Sequence, residues 1–215
     1  MAWIIRDMEG ICRMFIFIVN FLRMYNIVLF GPPGAGKGTQ SEKIITKFNL
    51  THISTGDLFR KHLGEGTDLG KMARKYMDEG NLVPDEVVIK MVEFKINTDN
   101  NSNGFIFDGF PRTVTQARAL DVLLEKWGEN ISGMILLDVD EQELINRILL
   151  RGKTSGRSDD QDIEKINNRI RVYKEETIPV ATYYEKQGKL KTIVGIGSID
   201  EIFNNISEVI EQLPH

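Results

Sequence analysis

Between an apolar run, Tyr25 to Phe30 (YNIVLF), and a run of helical spacing, Gln40 to Phe48, lies Gly31-Pro-Pro-Gly34-Ala35-Gly36-Lys37-Gly38-Thr39. No other stretch constrains the fold as tightly. The first run has the length and β-favouring character of a buried parallel strand, and Ile44, Ile45 and Phe48 share one face of a helix. A glycine-rich turn from strand to helix exposes backbone N–H groups with no Cβ in the way. The helix that follows directs its N-terminal partial positive charge at the same point. Gly34 to Thr39 therefore form an anion cradle, and Lys37 can reach the terminal phosphates of a nucleotide. The strict form of such a loop has Ser or Thr directly after the lysine. Here Gly38 intervenes, so Thr39 does not offer a direct Mg²⁺ ligand at that position.

The pattern then repeats. Short apolar runs around Leu50 to Ser54, at Gly104 to Phe107, Gly133 to Leu137 and Leu190 to Val194 read as strands, with helical spacing between them. The last helix opens with a capping box, Ser198 and Glu201, and turns Ile202, Ile206, Val209 and Ile210 inward. Strand-helix alternation predicts an α/β fold of three layers, a parallel five-stranded sheet flanked by helices. Ligands of such sheets bind beyond the carboxyl ends of the strands. Asp108 and Asp138 both end apolar runs there. Asp108 is preferred as the acid that organises Mg²⁺, because Gly109-Phe110-Pro111-Arg112 follows it, whereas Asp138 leads into an ordinary helix start.

Composition removes other classes. The chain has 215 residues, 27 Lys and Arg against 31 Asp and Glu, a net charge of −4, and one cysteine, Cys12. A disulfide scaffold and a multi-cysteine zinc site are excluded, and nothing predicts nucleic acid as a partner. Residues 1–23 do not match the rest. Their apolar stretch from Met14 to Leu22 is nine residues long, against roughly 18 for a membrane helix, and no small-residue cleavage site follows. Three readings stay open for this extension: an upstream misread with the start at Met24, a membrane-surface or targeting segment, or a packed extension. Residues 24–215 form the core domain.

Five segments, in order, resemble the adenylate kinase family of nucleoside monophosphate kinases in its short-lid form. They are GPPGAGKGTQ, HISTGDLFR (His52 to Arg60), GNLVPDE (Gly80 to Glu86), FIFDGFPRT (Phe105 to Thr113) with Gln116, and RGKTSGRSDD (Arg151 to Asp160). The resemblance runs from about Met24 to the C-terminus and implies a P-loop NTPase fold with a helical monophosphate-binding insertion at 54–83 and a short lid at 150–160. It implies ATP, AMP and ADP as ligands, with Mg²⁺ accompanying ATP and no stable membrane association. It also implies a monomer, and the lack of a convincing export signal together with a substrate pool of ATP and AMP predicts the cytoplasm.

By the same resemblance, Gly34, Ala35, Gly36, Lys37, Gly38, Thr39, Arg151 and Gly197 bind ATP, with Arg147 beside its base. Thr55, Arg60, Asn81, Leu82, Val83, Gly109, Phe110, Pro111, Arg112 and Gln116 bind AMP. Arg157 and Arg169 grip phosphates near the transfer point. Lys37, Asp108, Arg112, Arg151, Arg157 and Arg169 form the catalytic set. The residue chemistry agrees: several phosphate charges held close together demand a dense cluster of cations, and the planar arginine fork contacts two oxygens at once. A Gln amide offers a donor and an acceptor to an adenine edge. Asp57, Asp159 and Asp160 are secondary candidates, the last two also as fasteners of the lid. Arg118 and Arg171 lie outside the motifs and read as solvated.

UMP/CMP kinases share the phosphate loop, the GFPR segment and a short lid, and are the alternative. Thr55 and Thr113 stand where those kinases usually carry Ala and Asn, which favours AMP. A GTPase-like switch lacks its base-reading segment here, and a membrane-anchored nucleotide module would rest on Phe15 to Leu22 alone.

Overall fold

The computed structural model describes residues 24–99, 102–155 and 158–214. The strands are β1 (Tyr25–Phe30), β2 (Thr51–Ser54), β3 (Gly104–Asp108), β4 (Gly133–Asp138) and β5 (Leu190–Val194). They make one all-parallel sheet in the spatial order β2-β3-β1-β4-β5. The order reverses at β1, so the crevice at the switch point opens directly above the glycine-rich loop.

Strand alternation divides the apolar residues between two cores. Val28, Phe30, Ile53, Phe105 and Phe107 face one side, while Ile27, Leu29, Ile106, Ile135 and Leu137 face the other. The first side is covered by α4 (Asp85–Thr98), α5 (Val114–Glu125) and α8 (Ile178–Glu185), through residues such as Val92, Leu120 and Tyr184. The second is covered by α1 (Lys37–Phe48) and α9 (Ile199–Glu211), through Ile44, Ile202, Ile206 and Ile210. Helices on both faces account for the unbroken apolar runs that mark the strands. Gly104 begins β3 at φ 123°, where an added Cβ would fall on the Tyr25 backbone.

Two helices follow β2: α2 (Thr55–Gly64) and α3 (Asp68–Met77). Ser54 Oγ caps α2 by accepting from Asp57 N at 3.3 Å, and Thr67 Oγ1 caps α3 by accepting from Gly70 N at 3.1 Å. The two helices touch at Gly70, where a Cβ would collide with the His62 carbonyl. After β4 come α6 (Glu141–Gly152), a 3₁₀ turn (Ser158–Asp160) and α7 (Ile163–Val172). A π-helical turn (Tyr173–Thr177) joins α7 to α8.

The boundaries differ from the sequence expectation in small ways. Helix α1 starts at Lys37, so the loop's own Lys37-Gly38-Thr39 make its first turn. Strands β3 and β4 each run one residue further, because Asp108 and Asp138 still pair, with Leu29 and Val194. The cap of α6 is Asp140, whose Oδ1 accepts from Glu143 N at 3.0 Å. None of the described helices is long and apolar enough to cross a membrane.

Candidate active site

A cavity of about 530 Å³ lies at the carboxyl ends of the strands, between the glycine-rich loop, the α2–α3 pair and the segment from α6 to the π-helical turn. The loop holds its shape through glycines that no other residue replaces. Gly31 (φ 146°) would put a Cβ 2.9 Å from Leu137 O, and Gly34 (φ 88°) one 2.9 Å from Ile148 Cγ1. Gly36, at φ 91°, precedes α1 with nothing within 4 Å of a Cβ, which leaves its backbone open to a ligand. Lys37 folds over this loop, its Nζ donating to Gly31 O at 2.8 Å and Pro32 O at 3.0 Å. Burial brings the ammonium pKa down to about 8; Asp108 opposes the shift, and Arg112, Arg169 and Arg151 add to it.

Arg60, Arg112, Arg147, Arg151 and Arg169 all line this cavity. Arg60 on α2 is ion-paired with Asp57. Arg112 donates from Nε to Gly109 O at 2.8 Å, and its guanidinium otherwise opens onto the cavity. Arg112 keeps exposed surface, but desolvation by the surrounding cavity wall and the neighbouring Arg169 lower its proton affinity, and Asp108 partly offsets them. Arg151 contacts Asp160 at 2.6 and 2.9 Å, and Arg169 Nη1 reaches Asp160 at 2.7 Å and Asp159 at 2.8 Å. Asp160 has no exposed surface. Burial would raise its carboxyl, but the two arginines hold it below the ordinary carboxylate range. Asp160 thus fastens Arg151 on α6 to Arg169 on α7, and Asp159 adds a second contact to Arg169.

Asp108 lines the cavity from the end of β3. Burial would raise its pKa, but His52, Lys37 and Arg112 together keep it low, so the carboxylate is ionised at neutral pH. His52 Nε2 stands 3.9 Å from Asp108 Oδ2, an ion-pair distance rather than a hydrogen bond. Asp138 is solvent-exposed and does not line the cavity.

Phe59, Met77, Leu82, Val83, Val88 and Phe110 add an apolar part to the cavity wall. Thr55 donates to Gly109 O at 2.8 Å. Gln116 is buried at the same wall, and its Oε1 accepts from Arg112 N at 2.7 Å. Asn81, Gly109 and Pro111 also line the cavity.

Most of the expected positions thus meet in one cavity. Ala35 is buried beneath the loop and Gly197 follows β5; neither is part of the lining. Arg147 bridges to that second loop by donating to Gly195 O at 3.0 Å. Arg157 lies outside the described residues, as do Gly156 and the extension 1–23. The sequence reading missed Glu42, Tyr173 and Thr177, which the structure adds to the wall. Tyr173 and Thr177 open and close the π-helical turn, and they stand at helical spacing from the buried Ile166 and Ile170, the one signal that could have found them.

A family model described as Adenylate kinase matches residues 29–189. The chain belongs to the adenylate kinase family. An adenylate kinase of Flavobacterium psychrophilum is 53% identical over 190 residues, covering 88% of this chain and 100% of the relative. Those of Flavobacterium johnsoniae and Bacteroides fragilis are 50% and 47% identical over the same coverage. The chain is accordingly an adenylate kinase, a nucleoside monophosphate kinase of the transferase class, and the UMP/CMP kinase reading is not favoured. Within this adenylate kinase, the matched span runs from inside β1 to the residue before β5 and includes every arginine of the cavity wall.

Proposed function

We propose that the cavity binds ATP and AMP phosphate to phosphate and transfers the γ-phosphoryl group in one in-line step, giving two ADP. The observation that carries this reading is the convergence of Lys37, Arg60, Arg112, Arg151 and Arg169 on one cavity whose wall also holds Phe59, Val83, Val88 and Phe110. One nucleotide does not need so many separate cations, while two nucleotides meeting head to head do. ATP takes the side of Gly34 to Thr39, Lys37, Arg147, Arg151 and Gly197. AMP takes the side of Thr55, Arg60, Asn81 to Val83, Gly109 to Arg112 and Gln116. Arg169, and Arg157 beyond the described residues, stand between them.

The acceptor needs no general base. A nucleoside monophosphate has a second pKa of about 6 and is mostly dianionic at neutral pH, so its own oxygen attacks the γ-phosphorus. The arginines contribute by positioning the two phosphates and by neutralising charge that spreads over the transferred group. Water competes as a nucleophile and has to be excluded. The α2–α3 insertion and the segment after α6 are the elements that close over the two ends. Mg²⁺ enters with ATP. Asp108, ionised beside Lys37 in the cavity wall, is the residue that would help to hold such an ion, directly or through water. When bound, the ion neutralises phosphate charge. On this reading the enzyme works as a cytoplasmic monomer, in the pool that holds both nucleotides.

The test is product analysis with the full chain, Mg·ATP and either AMP, UMP, CMP or no acceptor. ADP formed rapidly with AMP alone is the expected result. ADP formed equally without an acceptor would overturn the two-site reading.

A further inference from the structure

The Gln116 amide is held at both ends. Its Nε2 donates to Asp85 Oδ1 at 2.7 Å, and its Oε1 accepts from the Arg112 backbone N–H at 2.7 Å. Asp85, in the first turn of α4, also accepts from Thr113 Oγ1 at 2.8 Å through Oδ2, and Thr113 Oγ1 in turn accepts from Gln116 N at 3.1 Å. The three side chains form a closed loop between the end of the monophosphate insertion and the start of α5.

The chemistry of the partners decides which way the amide faces. An ionised carboxylate only accepts, and a backbone N–H only donates. With Asp85 on one side and Arg112 N on the other, the NH₂ end is assigned to Asp85 and the oxygen to Arg112. The reversed amide would set an oxygen against a carboxylate and an NH₂ against an N–H. Each end then keeps one unused valence, a second N–H on Nε2 and a second lone pair on Oε1, at a side chain that lines the cavity.

We propose that Asp85 is a positioning residue for base selection: by fixing the orientation of Gln116, it makes the pocket prefer a 6-amino purine to a 6-keto purine of the same size. A 6-amino purine presents an N–H donor at position 6 and an acceptor at N1. A 6-keto purine presents an acceptor at position 6 and a donor at N1, the reverse order. An amide free to flip serves either base, whereas an amide locked in one orientation serves one and leaves the other with unmatched buried groups. Asp85 does not line the cavity, so it acts through Gln116. The proposal rests on the reading that Gln116 faces the AMP base.

The experiment compares kcat/KM for AMP and for inosine monophosphate in the full chain, in Asp85→Asn and in Gln116→Leu. Asp85→Asn keeps the shape but supplies both a donor and an acceptor, so one of the two groups that set the amide is lost and Arg112 N–H alone still favours the parent orientation. The expected result is a fall of about three- to tenfold in the AMP-to-IMP ratio. General damage from the substitution would lower both values together and leave the ratio as in the parent, which overturns the proposal. Gln116→Leu separates the two ideas. If it leaves the ratio unchanged, Gln116 does not read the base, and the proposal falls with that reading. If it collapses the ratio while Asp85→Asn does not, the base reading stands and the role of Asp85 alone is refuted. Should Asp85→Asn fail to fold, Asp85→Ser is read by the same ratio.

Discussion

Arg151 meets Asp160 through both prongs of its guanidinium, Nε to Oδ2 at 2.6 Å and Nη2 to Oδ1 at 2.9 Å. The same carboxylate accepts from Arg169 Nη1 at 2.7 Å, so one buried acid ties α6 to α7 and aligns two cations on the cavity. Asp160→Ala leaves both guanidinium groups without this partner. Because the arginines are part-exposed, the loss falls short of that for a fully buried pair, and we expect about 1–3 kcal/mol, read from urea unfolding. Turnover falls by about tenfold or more as the cations lose their alignment. The carboxyl pKa is depressed in the folded chain. Its stabilisation is therefore complete above the ordinary carboxylate range and disappears as pH falls through the folded value. The variant accordingly loses less stability on acidification than the parent does.

Lys37 supplies a prediction in the alkaline range. Its pKa is about 8 in the ligand-free chain, below the ordinary 10.5. A bound triphosphate favours the charged form and raises the value. At pH 8.5 the free enzyme is then largely deprotonated at Lys37 and the complex is protonated. ATP binding takes up a proton, and affinity declines as pH rises through 8. Calorimetry in buffers of different ionisation enthalpy measures the uptake, and Lys37→Met removes it. Proton release at that pH would contradict the assignment.

Arg112→Ala separates catalysis from folding. The side chain donates one hydrogen bond, to Gly109 O, and otherwise opens onto the cavity. We expect kcat/KM to fall about 10²- to 10³-fold, as for loss of a preorganised donor at the transferred group. Unfolding free energy should change by no more than about 1 kcal/mol. A variant that unfolds, or one with near-parental turnover, would remove Arg112 from the site.

Gly70→Ala probes the insertion. The added methyl would strike the His62 carbonyl, which is backbone and has nowhere to rotate. The α2 and α3 helices must separate, at a cost of about 1–3 kcal/mol. Arg60, on α2, moves with them. The KM for AMP should rise while the KM for ATP, bound at the other end, stays close to the parent's. Equal changes in both would mean that the insertion does not form the AMP side.

Much of this was legible before any coordinates. The glycine-rich loop, the alternation of apolar and helical runs and the arginine-bearing motifs are local signals, set by backbone freedom, period and charge. They carry the three-layer fold, the family resemblance and most of the cavity wall. Asp108, preferred to Asp138 for the GFPR that follows it, is the one of the two that lines the cavity. What the sequence could not show are relations between residues far apart in the chain. Asp85 and Gln116 are separated by 31 positions and meet only because α4 packs beside α5. The clamp of Asp160 on Arg151 and Arg169 depends on the path taken after α6, and Tyr173 lines the cavity only because α7 and the π-helical turn pack against it. Local pattern determines which elements form and what chemistry they carry. Side-chain pairing across elements decides how that chemistry is oriented, because burial leaves each donor and acceptor only the partners that packing brings within reach.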